Sequence, residues 1–268
     1  MASSVAVRPA AGYIGGKRNL ARRLVERIEL IPHRTYAEPF VGMGGVFLRR
    51  RTAAAAEAIN DISGDVVTFF RVLQEHYPFF IDMLRWRVSS RAEFDRLLAL
   101  PGNRLTDLQR AARFLYLQRL AFGGKVQGRT FGVDARAPAR FNVTKLEPML
   151  EEIHERIAGV AIEQLPYAEF IRRYDTPETL FYLDPPYFGC ESDYGEAVFD
   201  RADFELLAEQ LAGIRGRFLL SINDTAETRA IFGRFDLNAV ETTYTLSTKA
   251  TGGGTRAAEL IVQGGSSG

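Results

Sequence analysis

The stretch Phe181-Tyr182-Leu183-Asp184-Pro185-Pro186-Tyr187 joins a short apolar run to one carboxylate, two prolines and an aromatic ring. The apolar run is typical of a buried strand, and the prolines end it because they cannot donate to a strand ladder. The pattern therefore predicts that the Asp184 carboxylate, the Pro185 carbonyl and the Tyr187 ring form one rigid group at the carboxyl end of a strand. Such a group suits an exocyclic amine on a planar base. The alternative is a strand-ending turn with a core tyrosine.

The composition is that of an ordinary globular protein of 268 residues, 46% hydrophobic and 25% charged. Its formal net charge is +1, so any preference for nucleic acid must come from a local surface. One cysteine, Cys190, excludes an internal disulfide and a multi-cysteine zinc site, and it fits a reducing cytoplasm. No apolar run approaches the ~18 residues that span a bilayer, so no membrane segment is expected. The small, polar ends at 1–7 and 264–268 are expected to be disordered.

A glycine-rich turn at 11–17 precedes a predicted helix whose apolar residues recur from Leu20 to Ile31. Backbone N–H groups in such a turn can approach an anionic or polar ligand closely, with Tyr13 to stack on it and Lys17 to supply charge. The alternative is a plain glycine turn with a solvated lysine.

The segment 35–45 has the order of a nucleotide loop: a strand, glycines from Gly42 to Gly45, and then a predicted helix through 46–48. The glycine spacing differs from G-x-G-x-x-G and no Walker lysine follows, so a cofactor without a pyrophosphate is preferred. A second strand, expected over 53–59, leads to Asp61, where an acid binds ribose hydroxyls in such folds. The alternative for Asp61 is a cap for a helix over 63–74.

From Tyr77 the pattern becomes helical, with a capping box at 106–109, which indicates an insert in an α/β domain. Between Pro101 and Lys145 nine basic residues stand against two acidic ones, so the insert is expected to present a surface for a polyanion. Its loop at 121–132 mixes glycines, cations and aromatics, which suits entry into a groove. The alternative is a flexible solvated loop anchored by two phenylalanines.

After Lys145 the α/β pattern returns, with strands expected at 160–162 and 217–222 and a final hairpin at 242–246 and 258–262. The two α/β parts need each other to complete one sheet. We therefore expect a discontinuous catalytic domain over 8–76 and 146–263 and a target-recognition domain over 77–145.

In this order, the motifs resemble those of the Dam-type (D12 class) site-specific DNA adenine-N6 methyltransferase family. The resemblance covers nearly the whole chain and is carried by the stretches Tyr13–Lys17, Glu38–Gly45, Asn60-Asp61, Phe141-Asn142 and Asp184–Tyr187. The resemblance implies an α/β fold: a Rossmann-like S-adenosylmethionine-dependent methyltransferase sheet with an inserted, mainly helical target-recognition domain. It also implies a monomeric cytoplasmic enzyme of bacterial, phage or prophage type.

The resemblance implies methyl transfer from S-adenosylmethionine to N6 of an adenine flipped out of double-stranded DNA, leaving S-adenosylhomocysteine. The catalytic residues implied are Asp184, Pro185 and Tyr187. The cofactor-binding residues implied are Tyr13, Lys17, Glu38, Phe40, Gly42, Gly44, Asp61 and Asp184. The DNA-binding candidates are Arg119, Phe122, Lys125, Gln127 and Arg129, and no metal ligand is implied. Tyr194 and Phe199 are candidates either to close over the flipped base or to pack in the core.

The target sequence is the least determined feature. Relatives that read GATC carry an Asn-Gly pair where this chain has Gly123-Gly124, so GATC is the default expectation and this segment departs from it. Two alternatives remain at this stage. One is an amino-methyltransferase acting on cytosine N4, RNA or a protein glutamine, and the other is a DNA-binding homologue without catalysis.

Overall fold

The computed structural model of the chain describes residues 2–3, 5–13, 17, 20–132, 136–190, 199–244 and 255–265. Seven strands form one sheet in the order β5-β4-β2-β6-β7-β9-β8, and β1 pairs separately with β3. The strands are β1 (Ala2–Ser3), β2 (Thr35–Glu38), β3 (Thr52–Ala53), β4 (Ala56–Asn60), β5 (Ala161–Glu163), β6 (Thr179–Leu183), β7 (Arg217–Asn223), β8 (Asp236–Tyr244) and β9 (Thr255–Gly265).

The first five strands of the sheet run parallel, and β9 is antiparallel to both β7 and β8. The carboxyl ends of β2, β4, β6 and β7 therefore meet at one edge, where ligands bind in open α/β sheets. This arrangement confirms the expected Rossmann-like methyltransferase fold.

The central strand β6 is buried at all five positions. Leu180 and Tyr182 face one hydrophobic core, and Phe181 and Leu183 face the other. Because both faces are covered, the strand is continuously apolar rather than alternating, as the sequence indicated.

Nine α-helices are present in the described part of the chain. They are α1 (Ala21–Leu30), α2 (Gly64–Glu75), α3 (Tyr77–Arg85), α4 (Arg91–Ala99), α5 (Asp107–Leu120), α6 (Val143–Ile157), α7 (Tyr167–Tyr174), α8 (Arg201–Ala212) and α9 (Ala226–Ile231). None of the helices in these described ranges is long and apolar enough to cross a membrane.

Two predicted elements near the glycine loop were wrong in detail. The helix expected through 46–48 is a single 3-10 turn, Phe47–Arg49, because the chain turns from Gly42 onward with φ of 51° at Gly42 and 74° at Gly44. The strand expected over 53–59 is broken at residues 54 and 55 into β3 and β4.

The expected disorder of the two ends was also wrong at several positions. Ala2 and Ser3 pair with β3, and Val7 is buried and donates its N–H to the Leu48 carbonyl at 2.7 Å. Gly264 and Gly265 extend β9 beside β7. Glycine suits this place because a Cβ on Gly265, at φ 104°, would lie 2.2 Å from the Gly216 carbonyl oxygen.

The helices predicted after Tyr77 are present as α3, α4 and α5, and the predicted capping box joins Thr106 to Gln109 at the start of α5. The insert shares its core with α2 of the sheet domain, where the Phe69 ring lies 5.9 Å from the Phe114 ring. Arg110 forms an ion pair with Asp65 at 2.5 Å across the same junction. The boundary between the two domains at residue 77 stays a prediction. One hydrophobic core extends across it.

Candidate functional site

The strand ends that form the site are tied together by Asn60, the last residue of β4. Its side-chain amide donates to the Pro39 carbonyl at 2.9 Å and to the Leu165 carbonyl at 3.0 Å, and its oxygen accepts from Leu165 N at 2.8 Å. Asn60 therefore fixes the loops that follow β2 and β5, which leaves the next residue, Asp61, to face the glycine turn.

Asp61 closes the glycine turn rather than capping a helix. Its Oδ2 accepts from Gly42 N at 2.9 Å and its Oδ1 accepts from Ser63 N at 2.8 Å, while Ser63 occupies the cap position of α2. Burial raises the pKa of Asp61 to about 6, against the effect of these two backbone bonds. The Tyr13 ring covers Gly42 closely, since a Cβ on that glycine would lie 3.1 Å from Cδ1 of Tyr13.

Glu38 ends β2 inside the protein, with 2% of its surface exposed. Its carboxylate accepts the Tyr36 hydroxyl at 2.6 Å, and burial raises the pKa of Glu38 to about 8. Phe40, two residues on, is half-buried against the Tyr167 ring at 5.6 Å and the Phe199 ring at 5.9 Å. Phe199 is a core residue in this structure, and Tyr194 lies outside the described residues.

Asp184 follows β6 at the centre of this edge. Its Oδ1 forms an ion pair with Lys17 Nζ at 2.9 Å and accepts the Ser221 hydroxyl at 3.4 Å. Burial raises the pKa of Asp184 to about 6, and the Lys17 charge opposes that rise. Lys17 is thus buried at the site, not the solvated lysine of the alternative interpretation.

Tyr187 is held at its hydroxyl and through the next residue. Lys17 Nζ donates to the hydroxyl oxygen at 2.6 Å, and the hydroxyl donates to Oε1 of Glu259 at 2.6 Å. Asn223, at the end of β7, accepts from Phe188 N at 2.9 Å and donates to the Phe188 carbonyl at 3.0 Å. The Asp-Pro-Pro-Tyr turn is therefore a fixed element of the site, not a plain turn with a core tyrosine.

Sequence reasoning missed Glu259, Ser221 and Asn223 as members of this site. The one available signal was Glu259, an isolated acid within the apolar run of β9. Ser221 and Asn223 carry no local signal because ordinary strand and turn positions use the same residues.

The DNA-binding candidates fall into two groups. Phe122 is 59% exposed, and Lys125 and Gln127 are exposed beside it. Arg119 instead donates to the Ala10 carbonyl at 2.7 Å, and Arg129 donates to the Gln118 side chain at 3.0 Å. The exposed group is free to meet a partner, whereas Arg129 also holds the loop through the Lys125 carbonyl and Arg119 joins the segments around residues 10 and 140.

The loop itself turns at Gly123 and Gly124, which both have φ of 69°. Its two phenylalanines differ, since Phe131 packs against the Phe94 ring at 5.5 Å and Phe122 faces solvent. One phenylalanine therefore anchors the loop, as the alternative interpretation had it, and the other does not. No group of three or more His, Cys, Asp or Glu that could hold a metal occurs among the residues described.

A Rossmann-like sheet with a glycine turn, a half-buried Asp61 and an Asp-Pro-Pro-Tyr turn at its carboxyl edge fits the methyltransferase class. The match to a family model over residues 13–246 is more specific. The chain belongs to the D12 class N6 adenine-specific DNA methyltransferases. It is therefore a DNA adenine methyltransferase, and its substrate is DNA, not the RNA, protein or cytosine alternatives considered above.

Two relatives illustrate the similarity. A DNA adenine methylase of Vibrio cholerae serotype O1 is 28% identical over 90% of this chain and 90% of its own length. The type II methyltransferase M.CviBI of Paramecium bursaria Chlorella virus NC1A is 20% identical over 89% of this chain and 91% of its own. Among solved structures, a putative RNA methyltransferase from Pyrococcus horikoshii aligns with a TM-score of 0.42 and 8% identity, covering 96% of this chain and 91% of that one.

Proposed function

We propose that the chain transfers the methyl group of S-adenosylmethionine to N6 of an adenine flipped out of double-stranded DNA, acting as a monomer. The observation that carries this proposal is the Asp184 carboxylate at the end of β6, held 2.9 Å from Lys17 and next to Tyr187. Membership of the family supports the reaction class, and the contacts of these side chains support the carboxyl edge of the sheet as its location.

The glycine turn fits S-adenosylmethionine, which carries an adenosine and two positively charged groups. Glu38 is buried and Asp61 half-buried, both carboxyl groups have raised pKa values, and a cationic ligand stabilises their charged forms. Positive φ at Gly42 and Gly44 lets the backbone approach the ligand. We assign the binding to Tyr13, Lys17, Glu38, Phe40, Gly42, Gly44, Asp61 and Asp184. When bound, the cofactor supplies an electrophilic methyl group on a positively charged sulfur.

The protein's part in the chemistry is to make the adenine amine nucleophilic and to align it. The amine is a poor nucleophile because its lone pair is delocalised into the ring. Asp184 is mostly ionised at neutral pH because its pKa is about 6. Accepting the two amine hydrogens at the Asp184 carboxylate and the Pro185 carbonyl favours a pyramidal nitrogen. Direct attack then needs alignment and electrostatic stabilisation rather than a covalent intermediate.

Tyr187 and the insert complete the assignment. The Tyr187 ring stacks on the flipped base, which has left the duplex because its N6 cannot be reached there. Phe122 inserts into the base stack of the duplex near the position that the flipped adenine has left, while Lys125 and Gln127 contact phosphates or base edges. Arg119 and Arg129 contribute positive charge at the base of the same loop. GATC is the target sequence we propose, with the region around Gly123 and Gly124 as its determinant.

The test is transfer of a labelled methyl group from S-adenosylmethionine to double-stranded and single-stranded DNA, followed by digestion and chromatography of the nucleosides. We expect the label in N6-methyladenine, with duplex as the preferred substrate. Asp184→Asn should lower the rate by at least about a hundredfold, since it removes the negative charge at the amine and replaces one acceptor oxygen with an NH2 donor. Asp82→Asn, on the exposed face of α3, is the matched control and should retain the full rate. Label in cytosine, or full activity in Asp184→Asn, would overturn the proposal.

A further inference from the structure

A carboxylate that the proposed chemistry does not use lies beneath the site. Glu259 is in β9, has 1% of its surface exposed, and precedes three buried apolar residues. Strand register places it opposite Asn223 of β7, so it reaches the carboxyl edge from the antiparallel side of the sheet. An ionised carboxylate in such a place is costly unless it is paired and hydrogen-bonded.

The partners of Glu259 are the residues that contact Asp184. Its Oε1 accepts the Tyr187 hydroxyl at 2.6 Å, and its Oε2 lies 3.3 Å from Lys17 Nζ. The same Lys17 amine lies 2.9 Å from Asp184 Oδ1 and donates to the Tyr187 hydroxyl oxygen at 2.6 Å. Two acids therefore share one lysine, and Tyr187 bridges the lysine to the second acid.

The direction of the Tyr187 hydrogen bond is fixed. Burial raises the pKa of Tyr187 far above its ordinary value, and the charges of Glu259 and Asp184 raise it further. The hydroxyl therefore keeps its proton and donates it toward Glu259. A ring held at its hydroxyl and at the following Phe188 backbone has little freedom to rotate.

The geometry points to Glu259 as a positioning residue that orients the Tyr187 ring toward the flipped adenine and holds Lys17 between the two carboxylates. It acts through these two side chains and does not contact the base. The inference rests on the proposed function, since it names the residue that orients the groups assigned there.

Three variants separate positioning from general stability. Glu259→Gln keeps a hydrogen-bond acceptor but removes the charge that attracts Lys17. Tyr187→Phe keeps the ring and its packing and removes only the hydroxyl, so it tests the same contact if Glu259→Gln does not fold. Glu57→Gln is the matched control, because Glu57 is another buried acid of the sheet, paired with Arg50 at 2.5 Å and Arg156 at 2.6 Å away from the Asp184 cluster.

The kinetic measurement is the single-turnover methylation rate at saturating S-adenosylmethionine and DNA, together with the Kd for DNA. We expect Glu259→Gln and Tyr187→Phe each to lower the rate by about tenfold or more, with Kd changing by less than about threefold. The double variant should be slower than either single variant by less than the product of the two effects, since both variants weaken the Tyr187–Glu259 contact but only Glu259→Gln also weakens the attraction to Lys17. Glu57→Gln should keep the wild-type rate per folded molecule.

A spectroscopic measurement reports the ring directly. A duplex with 2-aminopurine at the target position lacks the N6 amine, so its emission follows stacking on Tyr187 and not contact with Asp184. We expect stronger emission from the Glu259→Gln complex than from wild type, because the ring is less well placed to quench it. Emission and rates in both variants equal to those of wild type would overturn the inference. An inactive wild-type protein would instead reject the proposed function itself.

Discussion

Gln118 links the two loops on which the proposed function depends. It is a residue of α5 with 1% of its surface exposed. Its amide donates to the Gly12 carbonyl at 2.9 Å and to the Gly124 carbonyl at 2.7 Å, and its oxygen accepts from Arg129 at 3.0 Å. A single side chain thus joins the segment before Tyr13 to the loop that carries Phe122.

Replacing Gln118 with alanine removes three hydrogen bonds, and of their partners the Gly124 carbonyl is left in a buried residue. At about 1 kcal/mol net for each bond, we expect the free energy of unfolding to fall by about 3 kcal/mol. If ordering the loop on DNA costs about 1.4 kcal/mol of this lost stabilisation, the affinity for DNA falls about tenfold. Urea denaturation and fluorescence anisotropy with a labelled duplex measure the two quantities.

Gln74→Ala is the matched control. The Gln74 amide also donates to two carbonyls, those of Ile157 at 2.6 Å and Val160 at 2.9 Å, but it lies away from both loops. It should lose about 2 kcal/mol of stability and keep wild-type DNA affinity. The reasoning is refuted if both glutamine variants bind DNA equally well, because the loss in Gln118→Ala would then be one of stability alone.

Three further predictions follow from the same contacts. Because Asp184 must be ionised and its pKa is about 6 in the ligand-free protein, kcat/KM for S-adenosylmethionine should fall about tenfold per pH unit below that value, and a flat profile in initial-rate assays would contradict the role. Glu38 has a folded-state pKa of about 8, above its unfolded value, so its stabilising contribution is complete below the unfolded pKa and is lost as pH rises through about 8. Denaturant titrations from about pH 6 to 9 should show a loss of about 2–3 kcal/mol that Glu38→Gln lacks, and equal slopes in both proteins would argue against it. Phe122→Ala should weaken DNA binding without lowering Tm, while Phe131→Ala should do the reverse; anisotropy and thermal melts distinguish the two, and a matching change in both variants would remove Phe122 from the interface.

The parts of the fold that were predictable have local causes. The β6 strand was predictable from an apolar run that ends before Pro185 and Pro186. The start of α5 was predictable from the four-residue capping box at 106–109. The turn after β2 was predictable from its glycines, because glycine adopts the positive φ that the turn requires. The length of the element after that turn was not predictable, since the turn begun at Gly42 continues to Phe47–Arg49 and the backbone is already extended at Arg50.

The parts of the site that were missed have distant causes. Glu259 meets Tyr187 across 72 positions of sequence, and Lys17 meets Tyr187 across 170, so no spacing rule connects them. The antiparallel pairing of β9 with β7 brings Glu259 to Tyr187, and strand order cannot be predicted from composition or periodicity. The structural roles of Arg119 and Arg129 were equally unpredictable, because the sequence does not show whether an arginine binds a phosphate or, as here, backbone carbonyls.

The most direct test of the central claim is to express the protein in a host that lacks adenine methylation and to sequence the genomic DNA with a method that detects modified adenine. We predict N6-methyladenine at one short recognition sequence, with GATC the sequence expected, and none in cells that express Asp184→Asn. Absence of modified adenine with soluble wild-type protein, or an equal level with Asp184→Asn, would contradict the claim that this site methylates DNA.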